Sequence, residues 1–530
     1  MASIIDDIRR NMLPLWRSYE DTAQAKELNY TGSVSLPVSF DRFEFFRQRW
    51  EANPSIVSAA DLVNIGVVSG QKYLSVVQKA AEYLLNHSEQ SSQLALDVAR
   101  TIVVVPEQPI VEKDLIPQSF SEIASGLIDG LEKQETDLKA RIGLLRRQVH
   151  KHPYNPIAYC ELARCYANLG LDKKAKSYMD YAVYLAPHSR YISRCAARFY
   201  VHINDYDRAK RVLISNGRVG NDPWLMSAEI AVESVMERSS RYIKIGRQLV
   251  FSGDVSAYSS SELCFAICNE DREAGKRKDA RKMFEKGLVD PNDNCLAQAQ
   301  FFAKEDDNIH LDIASFKGVA HKNEADTRKA LIAGQYQDAF ISSLKWMHDY
   351  RFEHRPIEFA FGISCDYLKE YDYAIRIVKG YLESNPKDPA AVNNLIYALG
   401  LSDRIEEAEL YMQRIKVSKY KGDNSPHGIC LVATCGLIEY RKGHIEEGRE
   451  LYNMAIEAAK KRKERKLADK ARLNMIREEV RCVEDYDTKL LNEMETLNTG
   501  SKVETEQLKK DILTEVEKKN NNKMNPLQKI

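Results

Sequence analysis

The 530-residue chain has no apolar run approaching the roughly 18 residues that a membrane-spanning helix needs. Its most apolar short run, Ile102 to Val105, stops at Pro106. The opening stretch, MASIIDDIRRNMLPLWRSYE, breaks its apolar residues with charges and lacks the continuous apolar core of a signal peptide. A cytoplasmic protein without membrane contact is the expectation. An excess of charge is lacking too: 77 Lys+Arg stand against 77 Asp+Glu, a formal net charge of +0. That balance argues against bulk electrostatic binding to nucleic acid, although it permits a local basic patch.

Catalytic signatures are missing as well. The chain has no Walker phosphate loop, no GxGxxG after a strand, no HExxH and no GxSxG. Its eleven histidines are scattered; His321 with Glu324, and His354 with Glu358, have helical spacing but no third ligand or nucleophile nearby. No catalytic residue, cofactor or metal ligand is expected, and the chain does not read as an enzyme. Cysteine is absent before Cys160, and ten follow. The close pairs Cys160/Cys165, Cys264/Cys268 and Cys430/Cys435 lack the C-x2-C knuckle spacing of a zinc ribbon. They read as small buried apolar residues.

What the chain does have is internal repetition. In YCELARCYANLGLDKKAKSYMDYAVYLAP (159–187), Tyr159 is followed by Leu162-Ala163, Tyr166, Ala175, Met179, Ala182 and Pro187. Ala196-Ala197, Tyr200, Ala209 and Leu213 repeat the spacing, as do Phe361-Gly362, Ala374, Val378, Tyr381 and Pro386. Leu395-Ile396, Leu399, Ala408 and Met412 come about 34 residues later. Further copies run through Cys264, Ala280 and Phe284, through Cys435-Gly436, Gly448 and Tyr452, and more weakly through Ala330, Ala339 and Trp346. Small residues let two antiparallel helices approach, larger ones fill the space between them, and proline stops the second helix. Turns such as NLGLDKKA, HINDYDRA and RKGHIEEG separate the two helices of a pair.

With these residues, 119–460 resembles the tetratricopeptide repeat family, most closely over 155–216 and then 355–415. No copy carries that family's Trp, and 223–254 and 294–319 are degenerate. The resemblance implies an all-α fold: an α-solenoid of stacked antiparallel helix pairs, a superhelix with an extended concave groove lined by the first helix of each pair. The array divides into 119–318 and 319–460. Before it lie 1–105, a helical region read as diverged repeats or a cap with a separate docking module as the alternative, and a Pro-containing connector at 106–118. After it come a basic, amphipathic helix at 461–498 and a polar, partly disordered tail at 499–530.

Arg190, Arg194 and Arg198 recur every four residues and share one helix face. The family resemblance puts Arg194 and Arg198 in the groove, with Arg164 and Asn168 one repeat earlier and His202 one turn beyond. Arginine forks bind carboxylates in a bidentate fashion, so an acidic peptide segment is the expected ligand, with salt bridges inside the array as the competing use. Asn393, Asn394 and Tyr397 form a second, weaker candidate. The functional expectation is a non-enzymatic scaffold, adaptor or regulatory subunit that captures a partner segment in the groove. Two alternatives stay open: nucleic-acid association through the ten basic residues of 460–481, and the sensor subunit of a bacterial toxin or defence system with a separately encoded effector. The terminal helix also allows self-association through a short coiled coil.

Overall fold

A computed structural model describes residues 9–19, 42–68, 74–102, 119–151, 153–305, 309, 311–316, 318–350, 352–386, 388–415, 425–500 and 502–524. Among these residues the chain is all-helical, without strands, and no helix is long and apolar enough to cross a membrane. Helices α1 (Arg42–Ala52), α2 (Ile56–Val68), α3 (Ser75–Asn86) and α4 (Gln93–Ile102) build a small core of their own around Trp50, Leu62, Val77 and Leu84. The expected connector at 106–118 lies outside the described residues.

The long α5 (Phe120–Lys151) leads into successive helices: α6 (Pro156–Asn168), α7 (Asp172–Leu185), α8 (Arg190–His202), α9 (Tyr206–Ser215), α10 (Pro223–Val235) and α11 (Ile243–Ser252). Then come α12 (Ala257–Glu273), α13 (Arg277–Gly287), α14 (Asp293–Glu305), α15 (Asn323–Ile332), α16 (Tyr336–Asp349) and α17 (His354–Gly362), which a π turn extends over Ile363–Leu368. The chain continues through α18 (Tyr371–Ser384), α19 (Pro389–Leu401), α20 (Ile405–Ile415), α21 (Pro426–Arg441), α22 (Ile445–Lys461), α23 (Arg465–Cys482), α24 (Lys489–Thr496) and α25 (Lys502–Met524).

Sequence chemistry sets these boundaries in a repeating way. Several helices that open a pair, α6, α10, α19 and α21, start with an oxygen-bearing cap followed by proline: Asn155-Pro156, Asp222-Pro223, Asp388-Pro389 and Ser425-Pro426. The cap side chain accepts orphan helix N–H groups, and proline has none to lose. The partner helix then follows a single left-handed residue, such as Gly170, Asn204, Gly275, Lys369, Asp403 or Gly443. Within a pair the residues do what their spacing predicts: the small Ala163, Ala175 and Ala182 and the larger Met179 are fully buried between α6 and α7. Gly448 on α22 is a tighter case, because a Cβ there would sit 2.5 Å from the buried Tyr440 ring. Gly448→Ala is expected to cost about 1–3 kcal/mol by overpacking, measured as a lower urea midpoint.

Pairing fails once, where the sequence is degenerate: α14 is followed only by a 3-10 turn at Ile313–Ser315 before α15. The chain also returns on itself. Helix α5 packs on α16 and α18, with Arg376 bonded to Asp129 and Glu132 and His348 Nε2 2.9 Å from the Leu127 carbonyl. Two boundaries differ from expectation. A turn with Lys463 in the left-handed region separates α22 from α23, and 499–530 is not a loose tail but contains α25. Leu508 and Ile512 of α25 are buried against Leu473, Ile476 and Val480 of α23, an apolar stripe too thin among lysines and glutamates to stand out in the sequence. Residues 525–530 lie outside the described part.

His354 adds a pH-dependent tie between α17 and α19. Its Nδ1 lies 3.0 Å from Glu358 and its Nε2 3.2 Å from Asp388, the cap of α19. Burial opposes its charge, but the hydrogen bonds to Asp388 and Glu358 outweigh it and lift the imidazolium to about 10 from 6.5. Because the folded value is raised, this contribution is complete below pH 6.5 and is lost as pH rises towards 10. Asp388 shifts the other way: burial is outweighed by His354, which holds it at about 2, so its share is lost only in acid. The melting temperature should therefore decline between those alkaline limits, and His354→Gln should flatten that decline in melts across the same range.

Candidate functional site

The helix face that carries Arg194 and Arg198 is covered by another part of the same chain. Residues 9–18 form no helix, although 1–105 reads as helical; alternate side chains are buried, Arg10, Met12, Pro14, Trp16 and Ser18, with partly exposed residues between. That period of two belongs to extended chain, and Pro14, with φ fixed and no N–H, fits it. The segment runs across α6, α8, α10, α12 and α14, the first helix of each successive pair, and reaches α15.

Side chains of these helices hold its backbone. Asn269 donates Nδ2 to the Arg10 carbonyl at 3.1 Å, and Asn294 donates to the Leu13 carbonyl at 3.1 Å. The Trp16 N–H donates to the Tyr350 hydroxyl, and the Tyr19 N–H to Glu161 at 2.9 Å. These four contacts come from α12, α14, the residue after α16 and α6, so the backbone is held at separate points rather than by a regular ladder.

Its side chains are held more firmly still. Arg10 makes a fork to both oxygens of Glu324 at 2.8 Å each, with Asn294 at 2.9 Å and Gln298 at 3.0 Å completing the set. Burial raises the Glu324 carboxyl, but Arg10 and Arg328 outweigh it and hold it far below the usual carboxylate range. Arg9 bonds Glu273 and Ser234, and Arg17 bonds Asp293 at 2.6 Å. Trp16, fully buried, meets Phe199 and Phe352 edge-on at centroid distances of 5.7 and 5.4 Å.

The fit is incomplete in one respect. Arg9 Nε, Asn11 Oδ1 and Arg17 Nε in the segment, and Asn269 Oδ1 and Gln298 Nε2 in the wall, are buried with no hydrogen-bond partner among the described residues. Each such group forfeits about 1–3 kcal/mol.

The arginines singled out in the sequence lie beside this segment, yet they are not open to an acidic ligand. Arg194, 6% exposed, bonds Glu262 at 2.8 Å and lies over Trp224; Arg198 bonds Glu353 at 2.9 Å and lies over Phe352. Arg164 pairs with Glu161 at 3.0 Å, Arg190 with Asp222 at 2.7 Å, and His202 with Asp172 at 3.5 Å. Asn168 is buried, its Oδ1 without a partner. The competing use, salt bridges inside the array, is thus the one observed, and the carboxylates left to face the segment make this an arginine-accepting surface. The second candidate is closed as well: Asn393 accepts from Thr434 at 2.8 Å, Asn394 is buried beside it, and the Tyr397 hydroxyl donates to Asn474 on α23 at 3.2 Å.

The other expectations sort as follows. His354 meets Glu358 as the helical spacing implies, whereas His321 bonds Asp349 at 3.3 Å and Glu324 goes to Arg10. None of the ten cysteines forms a disulfide and nine are buried, and burial pushes the Cys264 and Cys268 thiols up to about 12. In the basic helix, Lys470 bonds Glu504, Arg472 bonds Glu493, Arg477 bonds Glu478 and Arg481 bonds Asp403. Those pairs neutralise much of the charge that favoured nucleic acid. Sequence reasoning missed Arg10, Trp16, Asn269, Asn294 and Glu324, because Met12 to Trp16 is uniformly apolar and shows no alternation; Pro14 was the one local sign against a helix. The sequence matches no protein-family model and no curated protein.

Proposed function

We propose that the chain is a tetratricopeptide-like solenoid acting as a non-enzymatic scaffold or regulatory subunit, which captures an extended segment of a partner protein in its groove. One observation carries this reading: an extended segment is already gripped there by side chains from the first helices of successive pairs. Residues 9–19 are then a resident occupant, and the partner's segment shares their chemistry, two arginines seven residues apart with an aromatic anchor beside the second. The ligand is basic rather than acidic, because Glu273, Asp293 and Glu324 take arginines while the groove arginines are spent on internal carboxylates. The partnerless polar atoms at the interface support displacement, since an occupant that satisfies them would bind more tightly.

Affinity capture with the native chain and with Trp16→Ala, read by mass spectrometry, tests the proposal. Loosening the resident segment should enrich a partner carrying an exposed Arg/Trp segment. An identical set of captured proteins would place partner binding elsewhere.

A further inference from the structure

At the other end of the chain, α25 folds back on α23 and leaves a cleft of about 480 Å³ between them and the turn after the π helix. That volume lies within the range of small-molecule sites, roughly 300–1,000 Å³. Six cationic side chains line it: Lys369, Arg441, Arg477, Arg481, Lys510 and Lys518. Their internal partners do not balance them. Asp403 is shared by Arg441 and Arg481, both at 2.6 Å, and Glu478 is shared by Arg441 and Arg477 at 2.5 and 2.8 Å. Three guanidinium groups thus divide two carboxylates. At the rim, Asp511 holds Lys369 and Glu515 holds Lys518, while Lys510 is exposed.

Arg477 supplies an independent observation. It is 6% exposed, its Nε donates to Glu478 and its Nη1 to the Tyr397 hydroxyl, but its Nη2 is buried with no acceptor. A charged donor left this way is costly unless something fills the site. Tyr367 and Tyr371 also line the cleft, and burial keeps both hydroxyls protonated, so each can donate. Concentrated positive charge in a walled cleft focuses the field on an anion, and guanidinium forks match phosphate oxygens in geometry.

We infer that this cleft binds a small polyphosphate anion, with Arg477 among the cationic groups that line it and Lys510 and Lys518 closing on the ligand from the rim. The shared chemistry is two or more phosphates on one small molecule; a nucleoside triphosphate and an inositol polyphosphate are the two sources. The site is separate from the groove, and its failure would leave the groove reading intact.

The test is calorimetric titration of the full chain with ATP, inositol hexakisphosphate and pyrophosphate in about 0.15 M salt. One-to-one binding of at least one is expected, and the tighter of the first two identifies the source. Lys510→Glu with Lys518→Glu, both on the exposed side of α25, should weaken that binding about tenfold or more without lowering the melting temperature. Arg477→Lys, which keeps the charge and loses the fork, should weaken it as well. The assignment is overturned if none of the three probes binds at about 1 mM, if the double rim variant binds as tightly as the native chain, or if only a single-stranded oligonucleotide binds.

Discussion

Glu324→Ala should lower the unfolding free energy by about 3–5 kcal/mol. Glu324 is the common acceptor for Arg10 and Arg328, with Arg355 at 3.8 Å, and Arg10 and Arg328 are 3% and 4% exposed. Its removal takes from two buried guanidinium groups the carboxylate they share. The reverse truncation is milder: after Arg10→Ala, Glu324 keeps Arg328 at 2.9 Å, although Asn294 and Gln298 lose a partner. A double-mutant cycle on Arg10 and Glu324, followed by urea unfolding, should give a coupling above about 1 kcal/mol. Coupling near zero would mean that the segment does not occupy the groove in solution.

Trp16→Ala should cost about 3–5 kcal/mol if the segment and the helices unfold together. Its ring fills the space between Phe199 on α8 and Phe352 before α17, and it contributes to the main core of the array rather than to a local cluster. A segment that exchanges in its site should also open before the helices that hold it. Trp16→Ala should also raise amide exchange and protease cleavage within 9–19 before the helices themselves open. Uniform loss of protection over α8, α14 and the segment would instead make residues 9–19 an inseparable part of the core.

Much of the fold was legible because repeated packing repeats its residue types. Ala163, Ala175 and Ala182 lie where two helices touch, and Asn155-Pro156 and Asp388-Pro389 mark where helices begin. All of that is local. The shared helix face of Arg194 and Arg198 followed from their spacing, and both lie on α8 beside the segment. Their chemistry did not, because what an arginine does depends on the carboxylate that reaches it: Glu262 is 68 residues from Arg194, and Glu324 is 314 from Arg10. The segment has no periodic neighbours and no second strand, and its uniformly apolar centre, Met12 to Trp16, shows no alternation. Helix α25 escaped for a related reason, its burial resting on few apolar residues.

The central claim is that the groove holds residues 9–19 as an exchangeable extended ligand. It is tested most directly by placing a protease site within residues 20–41 of the full chain, cutting it, and adding a fluorescent peptide of residues 8–19. The account predicts that the cut segment stays bound through gel filtration and exchanges with the labelled peptide, while peptides carrying Arg10→Glu or Trp16→Ala fail to compete. A cut segment that leaves at once, or a groove that accepts all three peptides equally, would contradict it.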